Sequence, residues 1–142
     1  MFCTRKTFRR NHSQTGFHLI EILIALSIIS ILTLCAIPIY SHYITQLKRL
    51  NAAHLLIKLS VSLEEYYLRH QTYEKATLAL LNIPEWIDQC QLMISHATSD
   101  DYKIMAKPIY SQAKKDALCG TLILSADGEK NISGRGDVKD CW

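Results

Sequence analysis

The chain has 142 residues, 49% of them hydrophobic, with 16 Lys and Arg against 13 Asp and Glu, a size that fits one domain. Five cysteines, five glycines and three prolines exclude a disulfide-dense miniprotein, a collagen-like chain and a low-complexity tail. Arg5, Lys6, Arg9 and Arg10 put four of the sixteen basic residues in the first ten positions, and the rest counts 12 basic against 13 acidic, or −1. Basicity therefore belongs to the N-terminus and is no argument for a nucleic-acid-binding domain, whose basic residues spread over a folded surface.

From Ile22 to Leu47, 26 consecutive residues lack Asp, Glu, Lys and Arg, and roughly 20 apolar residues cross a bilayer. A basic start before an apolar run fits a secretory signal, a lipoprotein signal or a membrane anchor. Ala36-Ile37-Pro38 is a poor secretory cut, and Leu32-Thr33-Leu34-Cys35 has a bulky leucine where a lipobox needs a small residue. The positive-inside rule favours the anchor, with the leader cytoplasmic and residues after Tyr40 outside. Glu21 is the one charge between Arg10 and Lys48. Two readings of it stay open: a carboxylate wetted at headgroup level, or one carried toward hydrocarbon, where it costs about 2.5 kcal/mol or more and needs a partner.

Gly16-Phe17-His18-Leu19-Ile20-Glu21, between the basic leader and the apolar run, resembles the prepilin signature of type IV pilins and type II secretion pseudopilins. The resemblance implies that a prepilin peptidase cuts after Gly16 on the cytoplasmic side, so residues 1–16 are a leader and Phe17 becomes the N-methylated first residue. It also implies that an inner-membrane assembly platform adds the subunit to a filament of other pilin subunits. Glu21 falls on the family's acidic position, where its partner is the α-amino group of a neighbouring subunit. His18 departs from the usual Ser or Thr.

From Phe17 to Arg69 there is one proline, Pro38, and no glycine, so 53 residues suit a helix of roughly 80 Å, kinked at Pro38. Residues 17–39 form its hydrophobic half and 40–70 its amphipathic half. At 100° per residue, Leu47, Leu50, His54, Ile57, Val61 and Leu68 fall on one stripe, and Ala52, Leu56, Leu59, Leu63 and Tyr66 on nearly the opposite one. Two stripes imply two partners: the chain's own head and the helices of neighbouring subunits. An ordinary coiled-coil dimer needs only one. His54 on such a face reads as a packed histidine.

The stretch from Glu64 to Trp86 reads as the end of the helix and a connecting loop, punctuated by Asn82 and Pro84, that opens the head, residues 71–142; its Tyr66, Tyr67, Tyr73 and Trp86 read as interface and core aromatics. Three strand candidates follow: Cys90 to Ser95, Tyr102 to Lys107 and Leu118 to Ser125. Tyr102, Ile104 and Ala106 alternate with Lys103, Met105 and Lys107, the pattern of a half-buried antiparallel strand. Ser99-Asp100-Asp101 and Asp127-Gly128 read as turns. The expected fold is α+β: a long N-terminal helix on a three- to four-stranded antiparallel meander, the αβ-roll that the pilin resemblance also implies.

The segment YKIMAKPIYSQAKKDALCGTLILSADGEKN followed by Cys141-Trp142 resembles the end of PilE-type minor pilins. By that resemblance Cys119 and Cys141 bound a disulfide loop of about 22 residues, worth roughly 3 kcal/mol in the chain-entropy model. Cys90 is left as a buried thiol, Cys3 leaves with the leader, and Cys35 is a small apolar helix residue. No catalytic motif, zinc spacing or cofactor motif is present. Asp88, Asp100 and Asp101 lack an EF-hand pattern, and Arg135-Gly136-Asp137 reads as a tail loop rather than an adhesion motif. The chain is thus expected to be a minor structural subunit of a type IV pilus, not an enzyme, with no metal and no cofactor. It would be held in the inner membrane with an extracytoplasmic head and then built into an extracellular pilus for adhesion, twitching motility or DNA uptake. Nucleic acid would be touched only through the assembled pilus. The alternatives are a type II secretion pseudopilin, whose major members share a calcium-binding Gly-Pro-Trp-rich loop missing here, and a monotopic anchored binding protein.

Overall fold

A computed structural model describes residues 18–142. They fall into two units divided between Ile37 and Pro38, each described by itself below. Helix α1, Leu19–His70, belongs to both. It ends where Gln71 takes a left-handed φ of 56° and its N–H closes on the Tyr67 carbonyl at 2.8 Å, which satisfies an otherwise orphaned carbonyl of the last turn.

In the first unit every side chain from Leu19 to Ile37 is exposed. The hydroxyls of Ser27, Ser30 and Thr33 each donate to a carbonyl of the preceding turn at 2.7 Å, those of Ile24, Leu26 and Ile29. These polar groups therefore place no unmet donor on an apolar surface, where one would be costly.

The second unit carries the head. Strands β1 (Trp86–Ile87), β2 (Cys90–Ala97), β3 (Tyr102–Pro108), β4 (Leu122–Ser125) and β5 (Lys130–Ile132) form one antiparallel sheet in the order β1-β2-β3-β4-β5. The count is five rather than three or four. β1 and β5 have two and three residues, too short to show a period of two in sequence. The third expected strand starts at Leu122 and not Leu118, because residues 116–119 close a turn in which the Cys119 and Gly120 N–H groups both donate to the Asp116 carbonyl. Ser95 bulges from β2, where the register shifts between Ile94 and His96, and its hydroxyl donates to the Lys103 carbonyl at 3.0 Å.

Period fixes which faces meet. Tyr102, Ile104 and Ala106 of β3 are buried and lie beside Leu92 of β2 and Leu122 and Leu124 of β4 in one cluster. Ala52, Leu56, Leu59 and Leu63 join that cluster from α1, spaced four, three and four apart so that they share a helix face. Leu56, Leu59 and Leu63 are 0% exposed, and each contributes about 1.5–3 kcal/mol by burial. At the far end of the sheet, Tyr67 stacks on Tyr73, and Tyr73 meets Tyr102 edge-on. The Tyr73 hydroxyl donates to the Glu64 carboxylate at 3.1 Å; burial first, then this bond, push its pKa up to about 12. Tyr66 and Tyr67 are half-buried, whereas Trp86, expected at a core or interface, is exposed.

Two short helices complete the head: α2, Tyr110–Lys115, and α3, Val138–Cys141. Asp137 caps α3 by accepting the Lys139 N–H at 2.9 Å. The preceding segment runs beside residues 118–121, with the Gly134 and Gly136 N–H groups donating to the Cys119 and Leu118 carbonyls at 3.0 and 2.8 Å. A Cβ on Gly134 would lie 2.0 Å from the Leu118 carbonyl oxygen, so close approach requires glycine there. Arg135-Gly136-Asp137 is accordingly a structural turn whose carboxylate is engaged in a cap.

Candidate assembly interface

Gly16 and Phe17 lie outside the described residues. Glu21 sits in the first turn of α1, its N–H donating to the His18 carbonyl at 2.9 Å. There the helix dipole favours a carboxylate, and among the described residues no basic group pairs with it. The helix that follows is long and apolar enough to cross a membrane.

Between Pro38 and His70 the two stripes of α1 have different fates. The stripe with Ala52, Leu56, Leu59 and Leu63 is buried against the sheet, whereas Leu50, Ile57, Val61 and Leu68 on the other are exposed. His54 is exposed with them. It is not packed within this chain, because the stripe it stands on faces away from the sheet.

Cys119 and Cys141 are joined by a disulfide, with S–S 2.03 Å and Cα–Cα 5.6 Å. It holds α3 to the turn before β4. Beside it is a group of buried polar contacts that no local sequence signal marks. Arg49 forms an ion pair with Asp116, and its other terminal nitrogen donates to the Asp140 carbonyl at 3.4 Å. Gln112 Nε2 donates to the Thr45 carbonyl at 2.9 Å and to Asp116 Oδ2 at 3.4 Å. α1, α2 and α3 are thereby joined by one charged network around a cavity of about 490 Å³. Arg49 and Asp116 are 67 residues apart, and on an amphipathic helix an arginine reads as solvated.

Cys90 is buried and free. Burial first, then the charges of Asp116 and Asp88, push its pKa up to about 11, so it stays a thiol and is a poor nucleophile. Among the described residues no three potential metal ligands cluster; Asp88 instead accepts a hydrogen bond from Asn51 at 3.2 Å. Replacing Cys141 by Ser should free α3 from the turn at residues 116–119, lower head stability by about 3 kcal/mol and expose the tail to protease. Thermal unfolding and limited proteolysis check this, and an unchanged digestion pattern would contradict it.

The outer face of the sheet has a separate character. Lys103 and Lys107 of β3 are exposed there, flanking a half-buried row in which Met93, Met105 and Ile123 pair across β2, β3 and β4. From Tyr102 to Lys115 the chain carries four lysines and no acid, all four exposed.

A long N-terminal helix packed by one face on an antiparallel sheet, with the other face apolar and free, is the architecture of a type IV pilin. The fold matches a solved structure of the non-core minor pilin PilV of Neisseria meningitidis, with a TM-score of 0.53 at 16% identity over 65% of this chain and 89% of that one. Residues 38–123 match the family model described as type IV minor pilin ComP, DNA uptake sequence receptor. The chain belongs to this ComP type IV minor pilin family. No curated relative matches its sequence. The chain is therefore a minor subunit of a type IV pilus, which assembles with other pilins, and the family's members are structural subunits.

Proposed function

We propose that the chain is made as a prepilin, held in the inner membrane by residues 22–39, cut after Gly16 by the prepilin peptidase and methylated at Phe17. The assembly platform then passes it into the pilus, where Glu21 pairs with the freed amine of a neighbour. The observation that carries this reading is the free apolar face of α1, which the chain's own head leaves uncovered. An amine freed by cleavage is the cation available at the depth of Glu21, and a carboxylate at that depth needs one.

Within the pilus, the head takes part in DNA uptake. The family description supports this, as does the acid-free run of lysines from Tyr102 to Lys115. Lysines bind phosphate oxygens without reading sequence, and each contact adds to the salt dependence of binding. Lys103→Glu/Lys107→Glu is expected to lower DNA binding by about tenfold or more at moderate salt and to reduce transformation, while the variant enters filaments at the wild-type ratio. Transformation frequency measured beside immunoblots of sheared pili checks this. Unchanged DNA binding would remove the uptake reading and leave the pilus reading standing.

A further inference from the structure

The free stripe of α1 has a second wall beside it. Tyr43, Leu47 and Leu50, four and three residues apart on one helix face, line one side of a groove of about 300 Å³, and Trp142 of the tail lines the other. Tyr43 and Leu50 are 55% and 59% exposed, and the same face continues through the exposed Ile57 and Val61. Arg49 also lines the groove, but its charge is met by Asp116 and by the Asp140 carbonyl. Both walls are thus apolar, and the cation beside them is already paired.

The indole is held in place before any partner arrives. Its Nε1 donates to the Asn131 carbonyl at 3.0 Å, the Trp142 backbone N–H donates to the Val138 carbonyl at 3.1 Å, and Lys130 Nζ lies 5.1 Å from the ring centre. Cys141 next to it is tied to Cys119 by the disulfide, and Asp140 is tied to α1 through Arg49. Trp142 is half-buried, with its polar edge satisfied inside the head and part of its surface left open. An aromatic side chain fixed in this way gives up little freedom on association, and tryptophan and tyrosine are enriched at the energetic centres of interfaces. The opposite wall belongs to the face of α1 that the chain's own sheet leaves uncovered, in a subunit that assembles with other pilins. The groove is continuous with that assembly face, so the molecule that covers the one reaches the other.

We propose that this groove seats an apolar side chain of a neighbouring pilin subunit, packed between Trp142 on one side and Tyr43, Leu47 and Leu50 on the other. The neighbour fills the groove when the subunit enters the filament, and Trp142 loses its remaining exposure there. The disulfide-bonded tail is then part of the assembly surface and not only a staple on the head. The inference rests on assembly through the free stripe of α1, and on neither the Glu21 pairing nor the DNA reading.

The test compares the mature chain in phosphatidylcholine nanodiscs with the same chain in sheared, purified pili, by hydroxyl-radical footprinting read by mass spectrometry at Trp142. Oxidation of Trp142 is expected to be slower in pili by about fivefold or more, as for a residue taken into the desolvated centre of an interface. Gln46→Trp sets a bulky side chain in the groove from an exposed position. It should lower the ratio of pilus-borne to membrane-borne subunit by about thirtyfold or more, the loss of one anchoring contact, with the Cys119–Cys141 bond still formed. Trp142→Ala should do the same, and Trp86→Ala, at an exposed residue that does not line the groove, should not. Trp142 as reactive in pili as in nanodiscs would overturn the proposal, as would Gln46→Trp subunit in pili at the wild-type ratio. Wild-type chain missing from pili altogether would instead remove the assembly reading, and this inference with it.

Discussion

Glu21→Ala protein is expected to be cut, retained in the membrane and correctly disulfide-bonded, yet missing from sheared pili. The substitution touches nothing in the head, since Glu21 lies in the first turn of α1 and the buried cluster begins at Ala52. If the carboxylate only sits among headgroups, removing it is silent or strengthens membrane retention. If it pairs with a neighbour's amine, its loss leaves a cation unpaired among apolar helices, at a cost of about 3–5 kcal/mol per subunit. A growing filament then takes up the wild-type subunit about a hundredfold or more in preference. Immunoblots of sheared filaments against membrane fractions separate the two, and variant present at the wild-type ratio would count against the pairing.

Arg49→Met should have the largest effect on the head itself. Asp116 is 4% exposed, and its carboxylate is held by Arg49 with additional help from Gln112. Without Arg49 that carboxylate is left in a poorly solvated place with only Gln112 to meet it. Removing one partner of such a pair costs about 3–5 kcal/mol, whereas replacing both by apolar residues is often neutral. Arg49→Met should therefore lower the midpoint of thermal unfolding by roughly 4–8 °C for each kcal/mol lost, and Arg49→Met/Asp116→Leu should recover most of it. A double variant as unstable as the single would show that Arg49 acts by packing its stem, not by meeting the charge of Asp116.

Long-period features were legible in the sequence and short or distant ones were not. The two stripes of α1 repeat over about four turns or more, so their angular separation stands out, and Leu56 and Leu63 are buried where Ile57 and Val61 are exposed. The alternation through Tyr102, Ile104 and Ala106 reads as a half-buried strand because one face of β3 meets the core and the other meets solvent. β5 hides because Lys130 and Asn131 are polar and exposed at the sheet edge. α2 hides because YSQAKK is a single polar turn and a half, held by Gln112 reaching back to α1. Arg49 and Asp116 share no spacing that a reader of one sequence can use. His54 misled for another reason: apolar neighbours on a helix stripe mark a face that will be covered, without saying by which chain.

The most direct test of the central claim is mass spectrometry of pili sheared from cells and purified. The expected result is a peptide of this chain that begins at Phe17 and carries one added methyl on its N-terminal nitrogen, together with head peptides containing Cys119 linked to Cys141. Recovery of the chain only from membranes, with residues 1–16 still attached or with a cut near Ala36, would contradict it.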